Sequence, residues 1–319
     1  MWDEALLRRY DTSGPRYTSY PTALSFHDQF TPDDLTQALK RSNASKRSLS
    51  LYVHVPFCRK ICYYCACNKI ATKNTALAEP YIARLDREMV LTARHLDTSR
   101  TVEQLHWGGG TPTFLNLNQM GDLIDRLDAR FGLSSSVDRD YAIEIDPREA
   151  DVFTLRHLQS LGFNRISLGV QDLSPLVQKA INRIQPRVLT ETLMDEAHRL
   201  GFRSLNLDLI YGLPFQTEKS FANTLRQVIE LNPARLSVFN YAHMPERFAP
   251  SGVSMSMTCR VAKRNWRFCV PPLKCSLRQA TCISVWITLP GLTIASPLPS
   301  AKVRYSAIFK ATPAMLSAI

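Results

Sequence analysis

Ser204-Leu205-Asn206-Leu207-Asp208-Leu209 alternates polar and apolar side chains without a break. A period of two puts Leu205, Leu207 and Leu209 on one face of a strand and Ser204, Asn206 and Asp208 on the other. The same pattern recurs upstream. Arg165, Ser167, Gly169 and Gln171 interleave with Ile166, Leu168 and Val170, while Ala142, Glu144 and Asp146 interleave with Ile143 and Ile145. Strand patterns fall at 49–55, 104–107, 141–146, 165–170, 204–210 and 236–240, with amphipathic helix patterns near 78–95, 117–131, 149–161, 173–182, 189–200 and 218–231. Such alternation reads as a parallel sheet with helical crossovers. A doubly wound sheet, covered on both sides, would be apolar on both faces. A closed eight-unit barrel would fill its interior with bulky apolar side chains. One greasy face, one polar face and six units predict an α/β fold, a six-unit (β/α) partial TIM-type barrel with a polar, ligand-holding interior.

Residues 1–47 read as an N-terminal arm and a helix. Tyr10–Ala23 is a non-helical lead, and Thr31 stands as an N-cap before Pro32, with Asp33 and Asp34 at the positive end of the helix dipole. The barrel then occupies 48–247, and 248–319 form a basic tail.

The chain has 319 residues, 45% apolar and 21% charged, a balance that excludes a disordered tail protein or a fibrous repeat. Its net charge of +11 invites a nucleic-acid partner, but the distribution argues against one. All 28 Asp and Glu lie within residues 1–246 alongside 29 Lys and Arg, whereas 247–319 hold 10 Lys and Arg and no acid. The tail is Pro-rich, scatters Cys259, Cys269, Cys275 and Cys282 without metal-ligand spacing, and disperses its charges. It is expected to be irregular, disordered or non-native, the product of a reading frame lost near Phe248–Ser251. Its apolar run, 282–295, is too short to span a bilayer and is broken by Pro290. With no export signal visible at the N-terminus, the expectation is a cytoplasmic protein with no membrane and no nucleic-acid partner.

Directly after the first strand comes Leu51-Tyr-Val-His-Val-Pro-Phe-Cys58-Arg-Lys-Ile-Cys62-Tyr-Tyr-Cys65-Ala-Cys67. Cys58, Cys62 and Cys65 have the spacing C-x3-C-x2-C. Three soft thiolates can hold three irons of a cubane and leave the fourth open to an external ligand. A structural zinc site would need four ligands, and Cys67 could be the fourth. The glycine run in His106-Trp-Gly-Gly-Gly-Thr-Pro-Thr113 lets backbone approach a ligand closely, or makes a tight turn. Asp208 and Gln171 are polar groups for a ligand or for an interior hydrogen bond.

Here the sequence resembles the radical S-adenosylmethionine (SAM) enzymes and, among them, the oxygen-independent coproporphyrinogen III oxidase family. The likeness runs through Ser13-Gly-Pro-Arg-Tyr-Thr-Ser-Tyr-Pro-Thr-Ala23, the cysteine segment, the glycine run, Glu144-Ile-Asp-Pro-Arg-Glu149, Gly169-Val-Gln-Asp172, Asp208-Leu-Ile-Tyr-Gly-Leu-Pro214 and Phe239-Asn-Tyr-Ala-His243. It covers about residues 8–247 and stops where the acids stop. The resemblance implies that Cys58, Cys62 and Cys65 ligate a [4Fe–4S] cluster whose unique iron binds SAM. It further implies that Tyr52, Gly109 and Glu144 touch this SAM, and that a second SAM meets Tyr64, Gly110, Thr111, Gln171, Arg183, Asp208 and Ala242. Cys67 would be catalytic or structural near the cluster. Its presence sides with the oxidases, since the related haem chaperones, which bind haem without this turnover, carry an aromatic residue there.

The implied reaction is reductive cleavage of SAM to a 5′-deoxyadenosyl radical, hydrogen abstraction from a propionate β-carbon, and loss of CO2 and an electron to leave a vinyl group. Two such events convert coproporphyrinogen III to protoporphyrinogen IX in haem biosynthesis. A low-potential electron donor and a monomeric chain belong to the same expectation. The family also carries a C-terminal domain that 248–319 do not resemble, so turnover by this chain is expected to be weak or absent.

Overall fold

The computed structural model describes Arg9, residues 27–241, His243, 249–253, 288–289 and 292–293. Six strands form its main sheet: β1 (Leu49–Val55), β2 (Val102–Gly109), β3 (Asp140–Ile145), β4 (Arg165–Gln171), β5 (Ser204–Tyr211) and β6 (Arg235–Asn240). Every pairing is parallel, and the spatial order equals the chain order. With no reversal of direction there is no switch point of the doubly wound kind. Right-handed crossovers repeated in one direction carry the helices to one side. These helices are α1 (Pro32–Ala44), α2 (Ala78–Ala93), α3 (Leu117–Phe131), α4 (Val152–Ser160), α5 (Pro175–Ala180), α6 (Arg187–Arg199) and α7 (Glu218–Glu230). Strands β1 and β6 do not pair with each other, so the barrel is partial.

Burial follows the alternation. Along β1, β3 and β4, buried and half-buried residues alternate. The apolar set, including Val53, Leu105, Ile143, Leu168, Leu207 and Val238, joins Ile82, Leu123, Leu155, Met194 and Phe221 of the helices in one core. Each such side chain contributes about 1.5–3 kcal/mol by leaving water. Trp107, fully buried, meets Phe163 edge-on with ring centroids 5.1 Å apart. The polar set is left facing away from this core.

The cap at Thr31 forms as expected: its hydroxyl accepts from Asp34 N at 3.2 Å, and the Asp34 carboxylate accepts from Thr31 N at 2.8 Å. The helix expected over 149–161 is shorter. Pro147–Glu149 is a single 3-10 turn, Ala150 is extended, and Asp151 restarts the chain as α4 by accepting from Thr154 N at 2.8 Å. The helix expected over 173–182 is likewise cut to α5, because Asn182 takes a left-handed φ of 54°. Among the described residues no helix is long and apolar enough to cross a membrane. Of the proposed N-terminal arm and helix (1–47), most of residues 1–26 lies outside the described residues, as does most of the tail (248–319).

Candidate functional site

The cysteine segment leaves β1 at Pro56 and is tied down at several points. Phe57–Cys58 pairs in parallel with Ile70–Ala71, closing a loop around residues 59–69. Tyr63 N donates to Ile181 O at 3.0 Å, and Asn182 Nδ2 donates to Ile61 O at 2.8 Å. Arg59 reaches Glu149 at 2.6 Å and lies over the Phe114 ring at 4.8 Å. The glycine run supplies the other wall. Gly110 N donates to Val55 O and Thr111 N to Phe57 O, both at 2.8 Å. A Cβ on Gly110 would stand 2.6 Å from Pro56 O, and Gly109 has a φ of 112°. The run is therefore needed for chain-on-chain packing as well as for any ligand.

Between loop and sheet lies a cavity of about 210 Å³, open to solvent. Cys58, Cys62, Cys65, Cys67, Tyr64, Gly109, Gly110, Thr111, Glu144, Gln171, Arg183 and Asp208 all line it. One expected residue among those described does not. Tyr52 stands one layer back, its ring stacked on His106 with centroids 5.6 Å apart, and His106 Nε2 donates to Glu144 Oε1 at 3.0 Å. Ala242 lies outside the described residues.

The polar groups are ordered by one another. His54 Nε2 must donate to the Asn68 carbonyl at 2.9 Å, which leaves Nδ1 to accept from the Tyr52 hydroxyl at 3.2 Å. Ser167 and Asn206 both donate to the Asp208 carboxylate, at 2.9 and 2.7 Å. Burial, reinforced by the charge of Glu144, still pushes Asp208 up to about 6. Burial also raises Tyr64, which packs beside Val177, Ile181 and Ile210. Burial alone would raise Asp146 too, but Arg183 and Arg148 hold it below the usual carboxylate range.

The thiols differ in their surroundings. Cys58 and Cys62 are buried, Cys65 is half-buried and Cys67 is exposed. Burial raises Cys58 against the pull of the Thr111 hydroxyl, 3.5 Å away. Hydrogen bonding from Cys67, with Lys69 nearby, draws Cys65 down to about 6 despite its burial, and the same bond pushes Cys67 up. The Arg148 and Arg183 guanidiniums stand 3.3 and 3.5 Å from Cys62 Sγ. Among the described residues no three His, Cys, Asp or Glu side chains converge on a single-ion position. A cubane binds each thiolate at a different iron and does not need that convergence. Three soft donors, cationic neighbours and an open cavity fit a cluster.

Sequence reasoning missed the support of this site. Asp172, fully buried, accepts from Gln216 Nε2 at 2.5 Å, Ser174 N at 2.6 Å and Thr224 Oγ1 at 3.1 Å. This anchor follows Gln171, whose φ of 68° is held by the tertiary structure at a register shift in β4. Arg148 and His106 were also missed. Their place at or near the C-terminal ends of barrel strands was the available signal.

The radical SAM superfamily matches residues 52–228, and the chain belongs to it. Membership implies a [4Fe–4S] cluster and SAM. Curated relatives narrow the likeness. The chain is 57% identical over 249 residues to the oxygen-independent coproporphyrinogen III oxidase of Pseudomonas aeruginosa, covering 78% of this chain and 54% of that protein. It is 51% identical over 248 residues to the Escherichia coli enzyme of the same name, covering 78% and 53%. The solved coproporphyrinogen III oxidase from Escherichia coli, described as a radical SAM enzyme, superposes with a TM-score of 0.79 at 44% identity, covering 88% of this chain and 61% of that one. The chain thus spans about half the length of the curated relatives it matches.

Proposed function

We propose that this chain carries the radical SAM portion of an oxygen-independent coproporphyrinogen III oxidase, acting in the cytoplasm as a monomer with a low-potential electron donor. The observation that carries the reading is the cavity in which Cys58, Cys62 and Cys65 meet Tyr64, Gly109, Gly110, Thr111, Glu144, Gln171, Arg183 and Asp208. The three cysteines would hold the [4Fe–4S] cluster. When bound, cluster and SAM supply a 5′-deoxyadenosyl radical for hydrogen abstraction from a propionate side chain. The protein's part is to bind, orient and exclude water. Glu144, fixed by His106, presents a carboxylate to an ammonium group of SAM. Thr111, Gln171 and Asp208 offer hydrogen-bonding groups for two SAM molecules in place of one, and Arg183 offers a cation for a carboxylate. Tyr64 supplies an aromatic face for an adenine. Cys67, exposed and lining the cavity, would meet substrate.

Anaerobic reconstitution of the 319-residue chain tests this. Expected are iron bound as a cubane, a Mössbauer response of one subsite to added SAM, and 5′-deoxyadenosine formation under reduction. Conversion of coproporphyrinogen III should be weak, since the portion matched is about half of each relative. Zinc in place of iron, or no response to SAM, would overturn the reading.

A further inference from the structure

Arg148 does not line the cavity, yet it belongs to the most highly charged buried group in the site. Its side chain and that of Arg183 are each 6% exposed, and both bond to one carboxylate oxygen, Asp146 Oδ2, at 2.7 and 2.9 Å. Arg148 Nε also donates to Oδ1 of the same carboxylate at 3.0 Å, and the remaining oxygen partners are neutral: the Asn182 carbonyl for Arg148, and the Gly169 carbonyl and Gln185 Oε1 for Arg183. Glu149, next in sequence, is engaged by Arg59. Two buried cations therefore share one anion, and the excess positive charge faces Cys62 Sγ, 3.3 Å from Arg148 Nη2 and 3.5 Å from Arg183 Nη1. A buried excess charge is costly unless an anion completes it.

We propose that Arg148 is a positioning residue for the iron–sulfur site: acting through Cys62, it sets the charge at that corner and raises the cluster's reduction potential, with Asp146 as the counterweight. The inference rests on the reading of Cys62 as a cluster ligand. Net charge and hydrogen bonds to the ligating sulfur are levers on such potentials. A guanidinium beside the sulfur favours the state holding one more electron. That electron comes from an external reductant; no bond breaks and no proton moves.

The test uses the full chain, reconstituted without oxygen and titrated with dithionite while the reduced cluster is followed by electron paramagnetic resonance. Arg148→Gln should make reduction about tenfold less favourable, about 59 mV lower for one electron. Arg148→Lys should recover most of the shift, and Asp146→Asn should move the potential the opposite way. In the metal-free protein Arg148→Gln should melt no lower than the wild type, because it removes the excess charge. An Arg148→Gln protein that binds cluster at unchanged potential overturns the proposal alone, as does an Asp146→Asn shift of the same sign. A wild-type chain that binds no cluster overturns both the reading of the site and this proposal.

Discussion

Ser167 Oγ donates to Asp208 Oδ2 across 2.9 Å, joining the neighbouring strands β4 and β5 on the face that lines the cavity. Asn206 Nδ2 bonds the other carboxylate oxygen at 2.7 Å, and Ser237 Oγ steadies Asn206 at 3.0 Å. The network orients Asp208 but does not repay its burial, which is why the acid is raised from 3.8 to about 6.

A raised carboxyl binds its proton more tightly folded than unfolded. Its stabilising contribution is complete below 3.8 and disappears as pH rises through about 6. Asp208→Asn should abolish that loss, stabilising the metal-free protein at neutral pH by on the order of 2 kcal/mol. Urea midpoints from about pH 4 to about pH 7 should decline more steeply for the wild type than for the variant. Parallel profiles would refute the assignment.

Serine replacements should separate the four clustered cysteines. Cys58→Ser, Cys62→Ser and Cys65→Ser are expected to lose the cluster, whereas Cys67→Ser should retain it, since Cys67 is exposed and the other three occupy the C-x3-C-x2-C spacing. Iron and sulfide assays after reconstitution check this. Loss of iron from the Cys67 variant alone would reverse the assignment.

Two glycines should respond oppositely to alanine. In Gly110→Ala the new methyl meets the backbone of Pro56 and Phe57 at 2.6 to 2.8 Å, a clash expected to cost about 1–3 kcal/mol and to weaken cluster assembly. Gly121, inside α3, has nothing within 4 Å of where an alanine methyl would stand, so Gly121→Ala should stabilise by about 0.5–1 kcal/mol. Thermal melts of the two variants give the signs directly.

The acid-free composition of 247–319 carries a genetic prediction. Reading the coding DNA around codons 247–252 should reveal a one-base correction that restores an acid-containing frame. An uninterrupted frame in independent clones would count against it.

Much of this protein was legible from side-chain order. The alternation in 204–209 placed Asn206 and Asp208 on one face and the three leucines in the core, and both hold. Cysteine spacing located the loop. The wall opposite was harder to read: a glycine run looks the same whether it admits a ligand or packs against Pro56. Asp172, Gln178, Gln185 and Gln216 could not be read as a network, because Gln178 meets the Asp172 and Gln185 backbone across a turn that follows no helix or strand period, and Gln216 meets Asp172 from a distant part of the chain. The left-handed Gln171 escaped for a similar reason, since nothing local demands a positive φ there. Arg148 was visible as a residue after Asp146-Pro147, but its approach to Cys62 depends on how a loop from β1 folds over the end of β3.

The cysteine loop is fastened by backbone bonds: Ile70 N to Pro56 O and Thr72 N to Cys58 O at its ends, and Tyr63 N to Ile181 O beyond it. None of these bonds needs a metal, so the loop is expected to keep its shape without one. Hydrogen–deuterium exchange at Tyr63, Ile70 and Thr72 should already be slow in iron-free protein and change little on loading.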